Sequence, residues 1–152
     1  MTGIAVAIAE VLGRAQTRGE KAKTIAARIR GSRNYRWVGL YDVSPGWVSL
    51  LAYSGPGEPV YPRFPASQGL TGAAIQQKQA VIVGGVRTDP RYLTAFGSTL
   101  SEIIIPVLDG VGSVVVGTID VESELVNAFS AADHRMLENA ARAAGPLWRE
   151  QR

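Results

Sequence analysis

SEIIIPVLDGVGSVVVGTIDVES, residues 101–123, decides the reading of this 152-residue chain. Two runs rich in β-branched residues, Ser101–Leu108 and Ser113–Glu122, flank Asp109-Gly110, a strong hairpin signal. Three acids, Glu102, Asp120 and Glu122, lie within or at the ends of these apolar runs. Burying a carboxylate is costly unless it is hydrogen-bonded, paired or holding a ligand, so these acids point to a site. Alternate side chains of a strand share a face, which puts Val114, Val116, Thr118, Asp120 and Glu122 together. Asp120 and Glu122 are then about 7 Å apart along one strand, close enough to grip one small polar molecule. A two-residue loop would set Glu102 opposite Gly117, on the wrong face. A three-residue loop or a bulge would set it opposite Thr118, beside Asp120. The flexible Val111-Gly112 pair favours the second register.

Outward from this hairpin, residues 3–31 read as helical. Ile4, Ile8, Val11, Leu12, Ile25 and Ile29 recur at helical spacing, Gly13 and Gly19 can kink or break the run, and Gly31-Ser32 stops it. Strands are expected at Arg36–Val43, Trp47–Tyr53 and Val60–Phe64, joined by Ser44-Pro45-Gly46 and Ser54-Gly55-Pro56-Gly57. Gly69–Lys78 reads as a short helix and Ala80–Val83 as a short strand, followed by a long loop, Gly84–Thr99, with one helical turn. Loops of that length in a compact domain are often functional. A last helix begins after Ser130, whose hydroxyl can cap it, and runs to Trp148 with Met136, Leu137, Ala140, Ala144, Leu147 and Trp148 on one face. This order implies an α+β fold: an antiparallel sheet with N- and C-terminal helices on one face and a loop-covered pocket on the other. A single domain is expected over residues 1–152, a helical segment at 1–31 preceding a core at 34–148.

A hydrophobic fraction of 46% and a charged fraction of 19% are those of an ordinary globular protein. No apolar run approaches the roughly 20 residues needed to span a bilayer, and Ile4–Ala9 does not read as a signal peptide. The expected location is cytoplasmic. With no cysteine, there is no disulfide framework, thiolate metal site or thiol catalysis. Residues 1–36 hold eight basic groups against two acids, a net +6 in a chain whose total is +3. The stripe is read as a solvated helix face and not a nucleic-acid surface, because no aromatics are interleaved and no recognised binding motif follows.

Several segments together resemble the GAF domain family, and within it the free methionine-(R)-sulfoxide reductases. They are Trp37–Tyr41, Gly69–Gly72, Val86–Tyr92, Ser101–Pro106 and Gly117–Ser123, with Phe129–Asp133 opening the last helix. In those reductases cysteines attack the sulfoxide and resolve the sulfenic acid. The corresponding positions here fall at about Tyr61, Thr71 and Ala95, none with a thiol. A hydroxyl or phenol does not reach the sulfenic state, so the chain is expected not to be an enzyme of this kind. The resemblance further implies that Trp37 and Tyr41 form an aromatic wall and Glu102, Asp120 and Glu122 an acidic floor, suited to an ammonium or amide group. Glu122 stands where aspartate is commoner. Ordinary core packing is the competing role for Trp37 and Tyr41, and strand ends running into solvent the competing role for the acids.

Other members of the family fit less well. For cyclic nucleotides, Phe129 and Asp133 match but His134 and Ala128 do not; a cysteine-linked bilin is excluded; the sole histidine, His134, suits a solvated helix surface better than haem. No His and acid spacing suggests zinc, so no metal and no cofactor is expected. The expected function is therefore a non-catalytic sensor or regulatory module for a small molecule, with ligand-binding residues Trp37, Tyr41, Tyr61, Thr71, Ala95, Glu102, Asp120 and Glu122. A homodimer through the terminal helices is expected. The alternative is a degenerate reductase-like scaffold for dimerisation or protein interaction, without a ligand. General acid–base catalysis by the carboxylates is a third reading, without a nucleophile or cofactor motif to support it.

Overall fold

The structure, a computed structural model, describes residues 3–111 and 114–150. Four helices, α1 (Gly3–Leu12), α2 (Arg18–Ser32), α3 (Gly69–Gln77) and α4 (Ala131–Arg149), accompany six strands. These are β1 (Trp37–Ser44), β2 (Trp47–Ser54), β3 (Arg63–Pro65), β4 (Val81–Val83), β5 (Ser101–Leu108) and β6 (Val115–Ser123). They form one antiparallel sheet in the order β3-β2-β1-β6-β5-β4. The α+β expectation holds, as does the division of the sheet into a helix face and a pocket face.

One face carries Val38, Leu40, Ile103, Ile105, Ile119 and Val121, packed against Ile4 and Ile8 of α1, Ile25 and Ile29 of α2, and Leu137 and Leu147 of α4. The helical run anticipated over 3–31 breaks after Leu12, where Gly13 closes α1 and Thr17 accepts from the Glu20 N–H to start α2. At α4, Gly117 leaves room on the sheet for the Trp148 indole, which donates to the Tyr41 carbonyl at 3.0 Å. The helix face thereby grips the strand that carries the pocket's aromatic wall. Ion pairs occupy much of the basic N-terminal stripe: Arg14–Glu10, Arg18–Asp42, Lys21–Glu150, Arg33–Asp133 and Arg36–Glu124. Those pairings fit a role in packing and solvation.

The third strand is shorter than expected. Pro62 has no N–H for a ladder and restricts Tyr61 before it, so pairing with β2 begins at Arg63 opposite Ser49. The Val60 N–H turns instead to the Ala95 carbonyl at 3.0 Å.

The β5–β6 register also differs from both alternatives. Glu102 lies opposite Glu122, and the pairs run regularly to Val107 opposite Gly117 before a bulge brings Leu108 opposite Val115. The connection is longer than two or three residues; its Gly112 and Ser113, the latter the expected start of β6, lie outside the described residues. The bulge also interrupts the alternation assumed for β6, so Val116 packs into the helix-side core and does not share the Thr118 face. The parity that matters survives: Glu102, Asp120 and Glu122 share one face.

Candidate functional site: a buried acidic floor

The pocket face is assembled by pairing. β1 sets Trp37, Gly39 and Tyr41 opposite Glu122, Asp120 and Thr118, and β5 adds Glu102 opposite Glu122. Gly39 is one residue that reading the sequence did not single out. Any Cβ there would run into the Trp37 ring, with the Tyr41 ring also in contact. Its missing side chain lets both rings lie over the strand beside Asp120.

The aromatic wall is a cluster. Trp37 stacks on Tyr53 with ring centroids 6.0 Å apart, meets Phe96 edge-on at 5.1 Å, and donates its indole N–H to the Gly57 carbonyl at 2.9 Å. Tyr41 meets Phe64 edge-on at 6.0 Å. Loops 55–62 and 89–100, which bring Gly57 and Phe96, thus close over the sheet. Leu93, Phe96 and Thr99 were not singled out from the sequence, because their place depends on loop paths that no periodicity reveals, and Phe64 was read only as the end of a strand.

Glu102, Asp120 and Glu122 are 5%, 4% and 1% exposed. One oxygen from each lies within 4.8 Å of the others. Thr99 donates its hydroxyl to Glu122 Oε1 at 2.8 Å. While the three acids are ionised, Asp120 Oδ1, Glu122 Oε2 and the buried Thr118 Oγ1 find no hydrogen-bond partner among the described residues. Among the described residues no ion pair involves the three acids.

The electrostatic consequence is protonation. Burial, then the neighbouring carboxylates, push Glu102 and Glu122 well above the ordinary glutamate range. Burial raises Asp120 to about 6, moderated by contacts with Glu102 and Glu122 that become hydrogen bonds when either glutamate carries a proton. The same charges act on the wall: burial, then Asp120, Glu122 and Glu102, raise Tyr41, and burial, then Glu122, raise Tyr92 to about 12. Three ionised carboxylates so close in a low dielectric are unfavourable without a positive partner.

A cavity of about 30 Å³ lies against this floor, lined by Tyr41, Tyr61, Phe64, Gly69, Leu70, Thr71, Leu93, Ala95, Glu102 and Asp120. Six of the eight residues expected to bind ligand, Tyr41, Tyr61, Thr71, Ala95, Glu102 and Asp120, therefore meet at one cavity. Glu122 and Trp37 stand on the same sheet face, outside its lining. Tyr61 is 47% exposed and sits at the outer rim. A larger groove of about 640 Å³ between α2 and β2 is open to solvent and lies away from the acids.

Comparison with known proteins places this arrangement. The chain is 30% identical over 114 residues, 74% of its length, to GAF domain-containing protein A of Dictyostelium discoideum, covering 70% of that protein. It is 28% identical over 108 residues, 70% of its length, to the free methionine-R-sulfoxide reductase of Saccharomyces cerevisiae, covering 59% of that protein. The solved structure of a type II free methionine-R-sulfoxide reductase from Thermoplasma acidophilum superposes with a TM-score of 0.78 at 30% identity, over 88% of this chain and 96% of the other. These findings correct the expectation that the chain is not an enzyme. Its relatives include enzymes, and the absence of cysteine removes the thiol route without deciding whether it catalyses a reaction. Residues 20–148 match the model of the GAF domain, and the chain belongs to the GAF domain family.

Proposed function

We propose that this GAF domain is a sensor or regulatory module that binds a small molecule of amino-acid type, its ammonium group held on Glu102, Asp120 and Glu122 and its body against Tyr41 and Trp37. The observation that supports this is the buried trio of carboxylates, which among the described residues has no cation paired to it. An ammonium group supplies both the charge and the three donors that such a floor lacks. The relatives named for free methionine sulfoxide make that compound the first probe.

Size sets a condition on binding. Pockets that enclose small molecules run to about 300–1,000 Å³, far above the roughly 30 Å³ here. Binding therefore requires the Tyr61 and Leu93–Ala95 segments to separate, which breaks the Val60 to Ala95 hydrogen bond. The same small volume favours a second reading, a scaffold with a shrunken pocket that serves protein contacts. A thermal-shift screen over amino acids, methionine sulfoxide and nucleotides decides between them, since a ligand at 100 times its Kd stabilises by about 2.7 kcal/mol. Stabilisation by an amine-bearing compound, abolished in Asp120→Asn, supports the ligand; no shift with any compound supports the scaffold.

Pairing of two copies is retained as part of the proposal, but on a different surface. The apolar stripes of α1 and α4 are buried against each other and the sheet. A dimer would use exposed groups instead, and a monomer by light scattering would remove it. No described helix is long and apolar enough to cross a membrane, and we keep the cytoplasm as the proposed location.

A further inference from the structure

We propose that the groove between α2 and β2 is a docking site for an acidic, extended peptide segment of a partner protein. The basic N-terminal stripe divides in two. Arg14, Arg18, Lys21, Arg33 and Arg36 are held by acids of this chain. Lys23, Arg28 and Arg30 have no acid partner among the described residues. Of these, Lys23 and Arg30 line the groove of about 640 Å³, and Arg28 does not. The reason is helical spacing. Gly19, Lys23, Ala27 and Arg30 recur at steps of four, four and three along α2 and so share one face. Ala27, exposed between the two cations, keeps the space there open.

The strand side supplies what an extended chain needs. β3 pairs with β2 only at Trp47–Ser49, and the Leu50 N–H goes to the Pro62 carbonyl. Beyond that point Ala52, Tyr53 and Ser54 pair with β1 on one side. Among the described residues, no strand or loop backbone bonds to their other side. An unpaired edge accepts an added strand, whose backbone gives affinity and whose alternate side chains give specificity. Half-buried Leu51 and Tyr53 add apolar surface.

Charge selects the occupant. Acids on one face of the added strand, about 7 Å apart, meet Lys23 and Arg30, about 10 Å apart along α2, through the long stems of these cations. Glu58, the one acid of the lining, follows β2 and opposes an acid placed at that end. The surface lies away from the acidic floor and does not depend on the ligand proposed there. Tyr53 nevertheless stacks on Trp37 of the pocket wall, so one strand borders both sites.

The test is fluorescence anisotropy of the full chain with a dye-labelled eight-residue peptide of alternating glutamate and valine. Its controls are the same peptide with lysine for glutamate and a single-stranded oligouridine. The acidic peptide is expected to bind and the lysine peptide to stay free. Lys23→Glu, which sets like charges together, and Ala27→Trp, which fills the groove without changing charge, should each weaken binding by at least about tenfold. Arg28→Glu, the same charge change off the groove face, should leave affinity unchanged. Unchanged far-ultraviolet circular dichroism confirms that these exposed substitutions fold. An acidic peptide that stays free, or a loss in Arg28→Glu equal to that in Lys23→Glu, overturns the proposal. Tighter binding of the oligouridine, sensitive to the same two variants, overturns it in favour of nucleic acid.

Discussion

Asp133 and Asp120 are buried to almost the same extent, 5% and 4% exposed, yet they belong to opposite kinds of environment. Asp133 opens α4. It accepts from the Tyr35 hydroxyl at 2.6 Å, from the Ser130 N–H and hydroxyl at 2.8 Å each, and pairs with Arg33 at 2.7 Å. Burial would raise its pKa, but the Tyr35 and Ser130 hydrogen bonds and the Arg33 charge outweigh that and hold it below the usual aspartate value. Asp120 meets only two other acids, without a cation among the described residues, and burial raises its pKa to about 6. An aspartate whose partners come from its own chain stabilises the fold. One that meets only other acids is, on the proposed reading, kept for an occupant from outside the chain.

Substitution should separate the two most clearly. Asp133→Ala removes a capping box worth about 1 kcal/mol and charged hydrogen bonds worth about 1.5–3 kcal/mol, so urea unfolding should show a loss of about 3 kcal/mol. Asp120→Asn should have the opposite sign: relief of buried like charge should stabilise the unliganded protein by about 1–2 kcal/mol, while abolishing stabilisation by any cationic occupant. A large loss in Asp120→Asn would erase the distinction.

The pH dependence sharpens it. Asp133 ionises more readily folded than unfolded, so its contribution is present above the unfolded aspartate pKa, about 3.9, and disappears as pH falls through the lower folded value. The floor runs the other way. Between the unfolded carboxyl range, about 4, and the raised folded values, near 6 for Asp120, the native state holds more protons, so stability of the unliganded protein falls as pH rises. Thermal melts from pH 4 to 7 should show this decline in wild type and a flatter profile in Asp120→Asn.

Two smaller effects probe the supports. Gly39→Ala would force the Trp37 ring aside and should cost about 1–3 kcal/mol, together with a change in aromatic circular dichroism. Thr99→Val leaves Glu122 Oε1 without its donor and should cost about 1 kcal/mol.

Most of the architecture was legible, because helical and alternating periods, turn residues and the Ser130 cap act locally. β5 was bounded correctly at Ser101–Leu108, and α4 to within a residue of its end. That Asp120 and Glu122 share one face was legible too, through alternation on β6. The register was not: the bulge at Val107/Leu108 depends on packing across the hairpin, and the same face was reached by a different pairing. Gly39 went unread because its importance is an absence of atoms under two rings. Thr99 went unread because an irregular loop carries no period to place it.

The central claim is that the acidic floor exists to hold a positively charged occupant. Native mass spectrometry of gently purified wild type and Asp120→Asn tests it most directly. The account predicts a wild-type mass above that of the bare chain, an adduct lost on denaturation and absent from the variant. Bare-chain mass in the wild type, or the same adduct on both proteins, would contradict it.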